Sequence, residues 1–192
     1  MKEALIETFY PKSRQEWRKW LAKNHAKKQS IWLVQYKKDS NIPTLSWSDA
    51  VDEALCFGWI DSTRKTIDEN SFRQYFTRRK PKSNWSKVNK EKILKLIETK
   101  KMMPAGLAVI ETAKQNGSWS NLDAVEELEI PKDLAKAFKS NRGAAGFFNG
   151  LSKSVKKIIL HWVISAKRPD TRERRIAEVA TLAAKGQKPK QF

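Results

Sequence analysis

The chain has 192 residues, of which 40% are hydrophobic, with eight tryptophans and eight phenylalanines. That suffices for one domain, or one domain with a helical extension, built on a core that needs no disulfide or metal, and it excludes a disordered chain. Lys and Arg number 39 against 21 Asp and Glu, a formal net charge of +18, which points to an anionic partner such as nucleic acid, anionic lipid or an acidic protein.

The single cysteine, Cys56, excludes an intrachain disulfide and a secreted disulfide framework, so a cytoplasmic location is expected. The start, MKEALIETFY, holds no apolar run of signal-peptide length. The longest apolar stretch, Ile158 to Ile164, is interrupted by His161 and is too short to span a bilayer.

Ser13-Arg14-Gln15-Glu16 reads as a capping box, and Trp17, Trp20 and Leu21 supply the stripe of a first helix. Ile31 to Tyr36 is β-branched and aromatic, a largely buried strand, and Lys37 to Pro43 is a polar loop. A second capping box at Ser46 to Asp49 opens a helix whose stripe is Trp47, Ala50, Val51, Ala54 and Leu55, with Gly58 as its stop. Trp59 to Ile67 looks extended, Asp68 to Ser71 is a turn, and Phe72 to Thr77 is a partner strand in which Phe72, Gln74 and Phe76 alternate.

Arg78 to Ser83 is a basic loop, because Pro81 disfavours helix at Lys80. A helix follows over 86–100, with Trp85, Val88, Ile93, Leu96 and Ile97 on one side. Pro104 starts another, stopped at Asn116-Gly117. Residues 122–133 are acidic, Pro131 starts a short helix through Leu134 and Phe138, and Asn141 to Gly150 reads as a turn. Ser152 caps a helix carrying Val155, Ile158, Ile159, Trp162 and Val163, and Pro169 breaks it. Asp170 to Glu173 caps the last helix, with Ile176, Val179, Ala180 and Ala183 inward, and a basic, frayed tail follows Gly186. The expected fold is α+β: a small antiparallel sheet with flanking helices over residues 1–118, then a helical C-terminal part, 119–192, packed on it.

Three stretches carry a family resemblance: Asp52-Glu53-Ala54-Leu55-Cys56-Phe57-Gly58-Trp59-Ile60-Asp61-Ser62, Tyr75 to Ser86, and Ala166 to Ile176. In order and spacing, over nearly the whole chain, they resemble the bacterial YdeI/OmpD-associated family, also called bacteriocin-protection proteins. The resemblance implies a role in protection against cationic antimicrobial peptides and an association with an outer-membrane porin. It implies no reaction, cofactor or catalytic residue. The chain's own +18 points that role to an anionic partner, since like charges repel.

Residues 73–101 hold eleven Lys and Arg against two Glu, half of the net charge. Arg78, Arg79, Lys80, Lys82 and Trp85 are therefore the candidate contacts for an anionic partner, nucleic acid or acidic protein, with arginines on phosphates and an aromatic ring under a base. The bland alternative is a solvated loop and helix face. Trp59 and Asp61 share a strand face, while Arg64 points the other way; they read as a ligand-orienting pair or as a structural anchor of the strand.

Catalytic residues, cofactor and metal are all expected to be none. Only His25 and His161 offer a base for Cys56, which reads as a small buried hydrophobe. Two isolated histidines have no metal-site spacing, and no phosphate-loop or dinucleotide glycine pattern occurs. Asp52 and Glu53 are adjacent and diverge on a helix. Arg142 to Phe148 reads as a flexible ligand loop or a helix–helix turn.

Overall fold

The computed structural model describes residues 7–190 and 192. They fall into two units that divide after Ser120. In the first, Ser13 accepts the Glu16 backbone N–H and starts α1 (Arg14–Asn24), which buries Trp17 and Leu21. The second half of the capping box is not made, because the Glu16 carboxylate takes the Lys12 N–H at 2.9 Å. Ser46 likewise accepts the Asp49 N–H to start α2 (Trp47–Cys56). Two more helices follow the sheet, α3 (Lys87–Glu98), capped by Ser86, and α4 (Pro104–Gln115).

Among the described residues four strands form one sheet: β1 (Thr8–Phe9), β2 (Ser30–Tyr36), β3 (Trp59–Thr66) and β4 (Ser71–Arg78), in the order β1-β2-β4-β3. The fold class is α+β, but the sheet is mixed rather than antiparallel, since β1 runs parallel to β2. The physical reason is α1: it links β1 to β2 as a crossover, which returns the chain in the same direction. A strand of two residues also carries too little alternation to be read beforehand.

Alternation divides the sheet cleanly. Ile31, Leu33, Gln35, Phe72, Gln74 and Phe76 share one face, and Ile31, Leu33 and Phe76 join Trp17, Leu21, Ala54, Leu55, Trp59, Trp85, Ile93 and Ile110 in a single core. The opposite face carries Trp32, Val34, Tyr36, Arg73, Tyr75 and Thr77. Between Asp61 and Arg64 the register with β4 shifts at a bulge, so Arg64 stands opposite Gln74, on the same face as Asp61. The expectation that it points the other way fails because the bulge adds a residue to the count.

α4 lies close against the end of α2. Met103 N–H donates to the Cys56 carbonyl at 3.1 Å. A Cβ at Gly106 would stand 2.3 Å from that same oxygen, so only glycine permits the approach. Three residues expected on inward stripes are exposed instead: Trp47 (50%), Val88 (58%) and Ile97 (44%). Trp47 is the first residue of α2 and sends its indole N–H to Asp61 rather than its ring to the core.

The second unit is helical: α5 (Asp123–Glu126), α6 (Lys132–Lys139), α7 (Ala144–Gly150), α8 (Lys153–Ile164) and α9 (Pro169–Ala184). Leu134, Phe138, Ala144, Phe148, Ile159, Leu160, Val163, Ile176 and Val179 make its core. The expected turn over 141–150 is half right. Gly143, at φ +86°, makes the turn, and α7 then forms because Ala144 and Phe148, four residues apart, both bury. Pro169 occupies the first turn of α9, whose start no side chain caps, so Asp170 is not the cap. Ile158 faces out, and the buried stripe of α8 runs through Ile159, Leu160 and Val163. The tail folds back: the ring of Phe192 meets Trp162 edge-on at 5.6 Å.

Candidate functional site

The cations of residues 73–101 point in different directions. Arg73 stands on the outer face of β4, its guanidinium 4.6 Å from the Trp32 ring centre. Arg78 donates Nε–H to the Lys28 carbonyl at 2.8 Å. Arg79 turns inward and lies 3.6 Å from the centre of the Trp85 ring, with both side chains buried. Lys92 crosses to α2, where it bonds Ser48 and pairs with Asp52. Lys80 and Lys82 are exposed on a loop whose Pro81 carbonyl accepts Asn116 at 2.9 Å and Ser118 at 3.1 Å.

Trp59 and Asp61 do share a face, and both have internal partners. Trp59, 1% exposed, donates its indole N–H to the His25 carbonyl at 3.3 Å. Asp61 accepts Trp47 at 2.9 Å and Gln74 at 3.1 Å through one carboxylate oxygen, which ties the start of α2 to the sheet. Asp52 and Glu53, expected to diverge, are bridged by Arg14, which lies 2.6 Å from Glu53 and 4.0 Å from Asp52. Glu53 takes Arg14 and Arg18, and Asp52 takes Lys92.

Cys56 is buried, and burial pushes its thiol up, the opposite of an activated thiolate. Among the described residues, no three His, Cys, Asp or Glu gather as a metal site, and no helix is long and apolar enough to cross a membrane.

The arrangement that reading the chain linearly misses is the outer sheet face. Trp32 and Tyr75 are register partners on β2 and β4, their rings 4.8 Å apart. Lys65 of β3 reaches over Trp32 at 5.7 Å, beside Arg73. Tyr36, further along β2, meets Tyr10 edge-on at 5.1 Å. Tyr10, Tyr36, Arg73 and Tyr75 are half-buried and Lys65 is exposed. No Asp or Glu occupies this face in any of the four strands. The signal was present as alternation within each strand, but only strand pairing brings Trp32, Tyr75 and Arg73 together.

Residues 127–186 match the family described as "Bacteriocin-protection, YdeI or OmpD-Associated". That match holds the third of the stretches carrying the resemblance, 166–176. The other two, 52–62 and 75–86, fall within a different match, to "Domain of unknown function (DUF8412)" over residues 9–109. Neither the search of curated proteins nor that of solved structures matches the chain. The second unit thus holds the segment similar to the bacteriocin-protection family, and, with more than half of its length matched, the chain belongs to the family described as Domain of unknown function (DUF8412).

Proposed function

We propose that this is a binding protein, not an enzyme, that takes single-stranded nucleic acid on the outer sheet face of its first unit. One observation carries the reading: the half-buried Tyr75 pairs with the buried Trp32 on the outer sheet face beside Arg73 and Lys65, and none of the four strands places a carboxylate there. Bases stack on aromatic rings whatever their sequence, and cations on the same surface hold the phosphates. In this reading Tyr75 and Tyr36 offer rings to bases, while Arg73 and Lys65 move from Trp32 onto phosphate. Lys80 and Lys82 extend the attraction from their loop. A cytoplasmic location belongs to the same proposal.

The test is fluorescence anisotropy of a labelled oligothymidylate titrated with protein at rising salt. The log of affinity should fall linearly with log salt, at about −0.7 per phosphate contact. Tyr75→Ala with Tyr36→Ala should cost about 1–3 kcal/mol for each base that loses its stack. Absence of binding at low salt overturns the reading. Equal binding of heparin, unaffected by the tyrosine changes, would assign the surface to charge alone and to an acidic protein partner.

The match over residues 127–186 favours a second reading, a bacteriocin-protection role for the whole protein. Deleting the gene should then lower survival under a cationic antimicrobial peptide, and unchanged survival rejects it.

A further inference from the structure

The outer sheet face is ordered in levels. Trp32 of β2 stands opposite Tyr75 of β4. Two residues along, Val34 stands opposite Arg73, and Lys65 of β3 stands opposite Arg73 from the other side. Two residues further, Tyr36 stands opposite Ser71. Residues two apart on a strand share a face, and so do direct cross-strand partners. The two cations therefore form one row across the strands, with an aromatic level on either side of it.

That order has a length. A strand rises about 3.3 Å per residue, so the Tyr75 and Tyr36 levels are about 13 Å apart. Neighbouring nucleotides stand about 3.4 Å apart when stacked. A nucleotide repeat has six backbone bonds against three in a peptide, so one pulled straight covers about 7 Å, twice the peptide's extended reach. Two such steps, and not one, span the interval between the rings.

Both ends of the interval are held in place. Trp32 backs Tyr75, with ring centres 4.8 Å apart. Tyr10 meets Tyr36 edge-on at 5.1 Å, and its hydroxyl donates to the Pro43 carbonyl. The Tyr36 backbone N–H donates to the Thr44 hydroxyl at 3.0 Å. Rings fixed beforehand lose little freedom when a base stacks on them. Between them Val34 is half-buried and smaller than either tyrosine, which leaves a lower apolar floor.

We infer that the unit of ligand on this face is a trinucleotide lying along the strands. Its outer bases stack on Tyr75 and Tyr36, its middle base lies over Val34, and its two internal phosphodiesters sit on Arg73 and Lys65. A dinucleotide has one such phosphate for two cations and reaches one ring. The footprint rests on the nucleic-acid reading of the same face and adds to it a length and a placement.

The experiment uses the full chain at low salt. A labelled twelve-nucleotide oligothymidylate is displaced by d(TpT), d(TpTpT) and d(TpTpTpT), followed by anisotropy. The trimer should compete about tenfold more tightly than the dimer, the worth of one stacked base. The tetramer should gain less over the trimer than the trimer gains over the dimer, because no further ring awaits it. Tyr36→Ala should bring the trimer to within about twofold of the dimer, and Tyr36→Phe, which keeps the ring, should restore the step. The step in the parent protein needs no variant, so it decides the matter even if Tyr36→Ala fails to fold. A labelled strand that does not bind overturns the nucleic-acid reading and the footprint with it. A labelled strand that binds while the dimer competes as well as the trimer, or while the largest gain comes at the tetramer, overturns the footprint alone. So does a folded Tyr36→Ala protein that keeps the tenfold step.

Discussion

Arg14 donates Nε–H to the carboxylate of Glu53 at 2.6 Å, joining α1 to α2 at a point where Glu53 is 2% exposed. Arg18, one turn further along α1, donates to the other carboxylate oxygen, also at 2.6 Å. The partners are unequal: the arginine side chains are about a third exposed, 34% and 32%, and the carboxylate is not. Removing the acid leaves cations that can rehydrate, while removing the cations leaves a carboxylate that cannot. Glu53→Gln should therefore cost about 2 kcal/mol, and Arg14→Met with Arg18→Met about 3–5 kcal/mol, by urea denaturation. The reverse order would show that Glu53 is hydrated in solution.

Arg79 should show the opposite behaviour. It has no carboxylate to lose, so Arg79→Met should stabilise by about 1 kcal/mol at neutral pH. The sign with pH follows from its pKa, which burial pushes down to about 10. Above that value the unfolded chain holds more of this proton than the folded one, so the parent's stability rises relative to the variant. Denaturation of both proteins from neutral pH to about pH 11 should show the gap closing; comparing the two cancels the groups they share. A gap independent of pH would mean that Arg79 is solvated in the folded state.

Two glycines set the fit of α4 on α2. Gly58 has φ +73°, and a Cβ there would lie 2.8 Å from Val109 Cγ2. At Gly106 the obstacle is the Cys56 carbonyl, which is backbone and cannot turn aside. Gly58→Ala should cost about 1–3 kcal/mol, and Gly106→Ala should cost more. Thermal denaturation decides the order, and a Gly106→Ala protein as stable as the parent would refute the close approach.

In the second unit Arg172 donates to both carboxylate oxygens of Asp133, at 2.6 Å from Nε and 3.1 Å from Nη2, tying α9 to α6. That bond holds the Asp133 carboxyl below its ordinary value of 3.8. Its contribution is present above 3.8 and is lost as pH falls through the lowered folded value. Asp133→Asn should thus flatten the acid limb of the stability profile. The effect should stay under about 1 kcal/mol, because the side chains are 29% and 45% exposed. Unequal loss at neutral and acid pH is the signature; equal loss points to packing alone.

Local signals read well where the physics is local. Ser13, Ser46, Ser86 and Ser152 each cap a helix through a backbone N–H three residues on, a bond made within one turn. The alternation of Phe72, Gln74 and Phe76 gave β4 its inward face for the same reason. Helix orientation read less well. Trp47, Val88, Ile97 and Ile158 have the right spacing and face out, because a periodic stripe is wider than the strip a neighbour covers.

The candidate site divides the same way. Charge and composition are properties of the chain as a list of residues and determined by themselves that the protein is strongly basic, and local caps and periodicity added that it is mixed α and β. Tertiary structure alone decided where the charge goes. It folded Arg79 onto Trp85, handed Lys92 to Asp52, and set Arg73 beside Trp32 and Tyr75. Strand pairing and helix packing join residues dozens of positions apart, and no local spacing encodes which distant partner a side chain will meet.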